Sequence, residues 1–531
     1  MISRRKFLML GSAVVGATAT GGLLTACGTG SQPSSSQVVL SPGLRKVMDA
    51  PEWRGGHWGV LVVDLRSGKV IDEMSKTTPF WTGSNAKIFT VGAALSMLGP
   101  DYRFHTPVVA TTRPSASGDL VGDLILVGRG DLVFGGRAKP DGTLDIPDFD
   151  HYDANAIPGE ATLTPEDPLA AMDQLAKQVA TAGVKRVQGE VIVDDRLWDP
   201  VKVGGIPITP IVVNDNLIDL LITPGAPGTP VAVDWRPKTA SFQVTSQVMT
   251  GAAGAAPQVE ITSPAPGRIQ LQGTVPADAK VPFIQTFQVP DPAAFARTLL
   301  IEALQRSGVT VEAPAVSGNP SARLPSSAAV AKLPQLGEFV SPAYSEYAKL
   351  INKVSHNLGA NLVPPVLAAR KGQHTFKAGM QIIENYVRDA GADPSQVSLV
   401  DGQGLADKSS PLALVTFLRF LSKQSYFKVF FNSTPILGVD GSLVGVVPAT
   451  DPAVGHAHAK TGTGVTQGSN GELTLQTKNL AGYIDAPHGG QLAFAMCVNN
   501  VPMKSIQTAL DANSALGAMA SSIYTSQQRA G

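Results

Sequence analysis

Apolar positions change their period along the chain. Between His57 and Met74 they come in short runs. Val60-Leu61-Val62-Val63 is followed by the turn material Arg66-Ser67-Gly68 and then by Lys69-Val70-Ile71, which predicts two strands. The period then lengthens. Ile88, Val91, Leu95 and Leu98 fall on one face of a helix, and Gly99-Pro100 stops it. From about residue 104 to 340, short strand-like runs prevail (Leu124–Val127, Val191–Val193, Val231–Val233, Ile269–Leu271), divided by glycine and proline. Two helical stretches here, near Leu169–Ala180 and Phe295–Arg306, are each followed by Gly-Val and a strand-like run, a faint internal echo. Helical spacing resumes at Tyr347, Leu350, Val354 and Leu358, and again around Ala378–Ala390 and Leu412–Gln424. The chain closes with strand candidates Ala457–Thr461, Leu480–Ile484 and Leu492–Val498 and a helix over Ser505–Tyr524.

Two strands near the start, three near the end and helices for both faces make one α/β unit from residues 41–103 and 341–531. Residues 104–340 are then an insertion of one or two strand-rich smaller domains. A chain of 531 residues is too long for a single core, which fits this division.

Composition excludes one class of partner. Lys plus Arg and Asp plus Glu are both 42, so the formal net charge is zero and nothing offers an electrostatic grip on nucleic acid. The first residues read as an address. Arg4, Arg5 and Lys6 precede an apolar Gly/Ala-rich stretch from Phe7 to Leu24, and Ser3-Arg4-Arg5-Lys6-Phe7-Leu8 resembles a twin-arginine export signal. Leu24-Thr25-Ala26-Cys27 resembles a lipobox, which makes Cys27 the lipidated first residue of the mature chain, anchored to the outer side of the membrane. An uncleaved membrane helix is the other reading, which the abundant Gly and Ala disfavour. Residues 28–40 form a flexible tether. With Cys27 lipidated, Cys497 has no partner and fills core space in the run Leu492–Val498.

Three short motifs carry the chemistry. In Ser84-Asn85-Ala86-Lys87 the serine and lysine face the same way at the start of a helix, so a neutral amine can take the hydroxyl's proton. Free N–H groups at the same helix start can stabilise an oxyanion. The Ser-x-x-Lys pattern recurs at Ser3–Lys6 and Ser425–Lys428, but only Ser84 opens a well-patterned helix at the beginning of the folded part. Ser355-His356-Asn357 adds a hydroxyl for proton relay and an amide for a substrate carbonyl. Lys460-Thr461-Gly462-Thr463, on a strand, offers a cation and hydroxyls to a carboxylate, with a glycine that permits close approach of substrate backbone.

The order of these motifs is that of the penicillin-binding proteins and serine β-lactamases. Ser84 and Ser355 lie 271 residues apart, and Ser355 and Lys460 lie 105 apart. The long first gap resembles the D-alanyl-D-alanine carboxypeptidase/endopeptidase family, low-molecular-mass penicillin-binding proteins with extra domains between the first two motifs. Gly122-Asp123-Leu124, Gly128-Arg129-Gly130-Asp131, the run Gly189–Asp195 and Asp401-Gly402-Gln403-Gly404-Leu405 resemble further segments of that family. The resemblance implies a transpeptidase-like α/β fold: an antiparallel five-stranded sheet with helices on both faces, plus a helical half. It implies hydrolysis of peptidoglycan stem peptides without a cofactor or metal, and acylation by β-lactam antibiotics. It makes Ser84 the acylated nucleophile and Lys87 its base, with Ser355 and Asn357 assisting. Lys460, Thr461 and Thr463 would bind the substrate's terminal carboxylate, and the N–H groups of Ser84 and Thr463 would form the oxyanion hole.

The chain departs from the family at His356, where aspartate is usual, and at Asn361, Gln403 and Ala406. Pro364-Pro365 is expected to interrupt a helix that ordinarily continues. Two alternatives stay open in the sequence: a degenerate peptidoglycan-binding lipoprotein, and a β-lactamase or esterase of the same superfamily. His356 is read either as tuning the lysines or as a solvated loop residue. His456 and His458 are read as strand-face packing or cleft lining, and Asp194-Asp195 as structural.

Overall fold

The computed structural model describes residues 40–529 apart from Gly135, Ser469, Asn470, His488, Lys504 and Ile506. The signal, Cys27 and the tether up to residue 39 lie outside the described residues. Among those described, no helix is long and apolar enough to cross a membrane.

Strands β1 (His57–Asp64), β2 (Val70–Met74), β3 (Ala457–Gln467), β4 (Leu473–Ala486) and β5 (Gly490–Met503) form one five-stranded sheet in the order β2-β1-β5-β4-β3, antiparallel throughout. The unbroken apolar run in β1 is explained by its position. Val60 and Val62 join the core on one face, while Leu61 and Val63 join the core on the other. The three C-terminal strands extend well beyond their apolar centres, because their polar ends still find ladder partners. β3 stands at the sheet edge.

One face is covered by the closing helix (Gln507–Arg529) and the short helix Pro42–Met48. The other is covered by the helical half: α1 (Ala86–Leu98), α2 (Tyr344–Lys353), α3 (Asn357–Arg370), α4 (Phe376–Asp389) and α5 (Pro411–Leu421). α3 corrects an expectation, since it runs through Pro364-Pro365 without a break. Proline's fixed φ is helical, so the loss is confined to two ladder hydrogen bonds and local crowding. All residues of α3 from Leu358 to Ala368 are buried, and Gly379 of α4 lies so close that a Cβ there would stand 1.9 Å from the Pro364 carbonyl oxygen. Tertiary packing outweighs the helix-breaking tendency.

Residues between α1 and α2 build their own sheets. His105–Ala110 pairs with Gln335–Val340, so the intervening chain leaves and returns side by side. The helices Ala170–Thr181 and Pro292–Arg306 pack together, and the short strands that follow them, Arg186–Val187 and Thr310–Val311, pair in parallel. The faint echo thus corresponds to two like units side by side. Part of the segment is not a separate body: Leu132, Trp198, Ile208 and Val212 belong to the core of the helical half.

Candidate active site

Ser84 sits in a single 3-10 turn, Gly83–Asn85, that feeds α1. Gly83 is needed there on two counts. Its φ is +46°, and a Cβ would lie 2.7 Å from the Thr463 backbone nitrogen. The nucleophile turn therefore presses directly on β3. Lys87, in the first turn of α1, is fully buried. Its Nζ lies 2.8 Å from Ser84 Oγ, 2.9 Å from the Ser355 carbonyl oxygen, 3.2 Å from Ser355 Oγ and 2.6 Å from Asn357 Oδ1. The second motif forms the corner between α2 and α3. Ser355 has φ +60°, a strained value for a residue with a side chain, and this aims its hydroxyl at the lysines.

The third motif lies on β3. Lys460 Nζ donates to Ser355 Oγ at 2.9 Å and to the Thr461 carbonyl at 3.0 Å. Ser355 Oγ thus touches both amines. Thr461 Oγ1 lies 2.9 Å from Ser442 Oγ, and Thr463 Oγ1 accepts from Lys478 Nζ at 2.8 Å. Gly462 is also required by the fold itself. A Cβ there would meet the Thr82 carbonyl oxygen at 2.2 Å, so the missing side chain makes room for the nucleophile turn. All eight residues singled out by the motifs are therefore brought to one place.

Three lysines share this cleft. Burial lowers Lys87 to about 7, although Asp153 and Asp401 pull it upward. Lys460 is driven well below the ordinary lysine range by burial, by Lys87 and by Lys478, with Asp153 opposing. Burial alone lowers Lys478 to about 8. An amine near 7 holds a lone pair for the Ser84 proton at neutral pH.

His356 is not a solvated loop residue. It is 1% exposed, it caps α3 by accepting the Gly359 N–H at Nδ1 (3.1 Å), and Nε2 lies 3.2 Å from Asp215 Oδ2. The cap requires Nδ1 to be unprotonated, so the ring donates from Nε2 to Asp215. Asp215 belongs to a buried cluster in the intervening segment. Arg137 donates to Asp150 (2.6 and 2.9 Å) and to Asp215 (2.7 Å); His151 bridges Asp219 (2.6 Å) and Asp215 (2.8 Å); Arg236 reaches Asp219 (3.0 Å). Asp150, His151 and Asp215 are near enough to one another to hold a metal ion, but the Arg137 guanidinium already stands against both acids as their cation. Tyr152 in the same segment packs against the His356 ring at 4.7 Å. Its neighbour Asp153 is half-buried, and burial raises its carboxyl to about 6 against the pull of Lys87 and Lys460.

The remaining residues are structural. His456 stacks on Tyr524 and His458 on Phe431. Asp194 pairs with Arg196. Cys497 is a buried free thiol, pushed up to about 12 by burial. Asp401 Oδ1 accepts three backbone N–H groups of its own loop, Asn361 Oδ1 accepts that of Gly402, and the loop rests on Gly83 at Gly404.

Sequence reasoning missed Lys478, Ser442, Asp153 and Asp215. Only Lys478 carried a usable signal, a lysine inside an otherwise buried strand run. The others depend on loops that no periodicity describes.

A serine, two lysines, a second serine and an asparagine converge between an antiparallel sheet edge and a helical half, which is the arrangement of a penicillin-binding serine hydrolase. The D-Ala-D-Ala carboxypeptidase 3 (S13) family model matches residues 40–521. The chain belongs to that family. It is 28% identical over 489 residues to a D-alanyl-D-alanine carboxypeptidase of Actinomadura sp. (strain R39), covering 87% of this chain and 81% of that one. Penicillin binding protein 4 of Haemophilus influenzae superposes with a TM-score of 0.67 at 19% identity, over 91% of this chain and 99% of that one. The same protein solved with a β-lactam gives 0.65 at 20% identity, over 91% and 99%.

Proposed function

We propose that this serine D-Ala-D-Ala carboxypeptidase cleaves peptidoglycan stem peptides through an acyl-enzyme on Ser84. Lys87 takes the hydroxyl proton, and Ser355, held between Lys87 and Lys460, passes a proton to the leaving amine. Asn357 fixes Lys87 and the substrate backbone, and the N–H groups of Ser84 and Thr463 face the developing oxyanion. Thr461 and Thr463, with Gly462 holding β3 against the nucleophile turn, receive the terminal part of the substrate. The single observation that carries this reading is the unbroken run of contacts from Ser84 Oγ through Lys87 and Ser355 to Lys460. β-lactams acylate the same hydroxyl: the serine oxygen bonds to the ring carbonyl carbon, the ring C–N bond breaks and its nitrogen takes the proton, while the carboxylate beside that nitrogen stands where the peptide's terminal carboxylate does. Mass spectrometry of the mature domain with penicillin tests this. One adduct is expected, on Ser84 and absent in Ser84→Ala; no adduct, or one that survives that substitution, rejects it.

The chain acts outside the cytoplasmic membrane, exported by the twin-arginine-type signal and anchored through lipid on Cys27. Arg4-Arg5 and Leu24–Cys27 support this part of the reading. Cys27→Ser is expected to move the protein from the membrane fraction to the soluble fraction, and unchanged partitioning rejects the anchor.

A further inference from the structure

Lys478 lies on β4 directly across the ladder from Thr463, and it is 6% exposed. Among the described residues its Nζ has one hydrogen-bond acceptor, Thr463 Oγ1 at 2.8 Å, and no carboxylate stands within ion-pair distance. A nearly buried amine with one neutral partner is costly in a folded chain, where buried cations are ordinarily paired. Lys460 is placed differently. It is fully buried, and it gives its donors to Ser355 Oγ and to the Thr461 carbonyl. It is engaged with the proton-transfer hydroxyl, while Lys478 faces the far end of the motif.

We propose that Lys478, together with Thr463, binds the free C-terminal carboxylate of the peptide whose preceding bond Ser84 attacks. The hydrogen-bond directions suit this. Thr463 Oγ1 accepts from Lys478, so its own O–H is left to donate to an incoming carboxylate oxygen. The amine keeps further donors for the same anion. The bound carboxylate supplies the counter-charge that Lys478 lacks, in a site with little water, where a charge-assisted contact is strongest. The position is also right for the cleaved bond, because Thr463 is the residue against which the Gly83–Ser84 turn is pressed. The carboxylate is thus read mainly by Lys478, and Lys460 is left to Ser355.

This inference rests on Ser84 being the nucleophile, and the experiment separates the two. Release of the last residue is measured for a peptide ending in D-alanyl-D-alanine and for the same peptide as its C-terminal amide, with wild type, Lys478→Met, Lys478→Gln and Lys478→Arg. Wild type is expected to prefer the acid. Lys478→Met lowers kcat/KM for the acid by about tenfold or more, chiefly through KM, and lowers that for the amide far less. Lys478→Arg keeps the preference. If the Met variant does not fold, Lys478→Gln gives the same comparison with the Thr463 hydrogen bond retained. Equal losses on acid and amide, or a wild type indifferent to the carboxylate, overturn the role of Lys478. Turnover that survives Ser84→Ala overturns the mechanism beneath it.

Discussion

Two buried clusters of charge meet at His356, and they are built in opposite ways. In the intervening segment, Arg137, Arg236 and His151 are matched by Asp150, Asp215 and Asp219, each through a direct contact. In the cleft, Lys87, Lys460 and Lys478 are buried together, with hydroxyls, an amide and carbonyls as their contacts and acids only at longer range. The first cluster satisfies itself and gains rigidity. The second lowers the basicity of its amines and leaves room for a proton and an anion to arrive. Compensated burial marks a structural element here, and uncompensated burial marks a site.

The largest effect expected from breaking this contrast is in the cleft. Lys87→Met should lower the rate of Ser84 acylation by about 10³–10⁴-fold, measured with a fluorescent penicillin, while leaving the melting temperature unchanged or raised, since it removes a poorly compensated buried amine. A large fall in melting temperature would mean that the cleft is a stability element like the other cluster.

The matched cluster should behave in the reverse manner. Asp215→Ala leaves Arg137, His151 and His356 facing one another without their shared acid, and should cost about 3–5 kcal/mol in denaturant unfolding. A loss under about 1 kcal/mol would remove the distinction between the clusters.

A smaller effect follows from pH. Burial opposes the charge on His151, but Asp219 and Asp215 outweigh it and raise the imidazole to about 10. Its contribution to stability is therefore complete below the ordinary value of 6.5 and is lost as pH rises through about 10. Burial likewise opposes the charge on Asp150, and Arg137 and His151 hold it at about 2, so its contribution is present above 3.8 and fades as pH falls through about 2. Unfolding free energy should be highest between these limits, and Asp215→Ala should flatten the alkaline side. An alkaline limb unchanged by that substitution would contradict the role of His151.

The smallest effect tests the joint between the clusters. In His356→Asn the amide oxygen can still cap α3, but the donor to Asp215 is gone. Acylation should fall by about tenfold, and His356→Gln, which keeps a donor at the Nε2 position, should lose less. A larger loss in His356→Gln would mean that the cap, and not the contact with Asp215, positions Ser355 and Asn357.

The eight motif residues and the five-strand, helix-flanked unit were legible in the chain, because each rests on local rules. A lysine three positions after a serine shares its helix face, and an apolar run in a central strand records burial on both sides. What could not be read rests on distant approach. Pro364-Pro365 spells a break, yet the helix continues because its buried surroundings hold it. His356 reads as a loop residue, yet Asp215, far away in sequence, receives it in the core.

By itself the sequence determined which chemical groups this enzyme owns and in what order it presents them. Only the tertiary structure decided which of them are charged, since that depends on how deeply each amine is buried and which acid, if any, the fold brings within reach. Lys478 and Asp215 show both halves of that decision: a cation left without an anion, and an anion shared among cations.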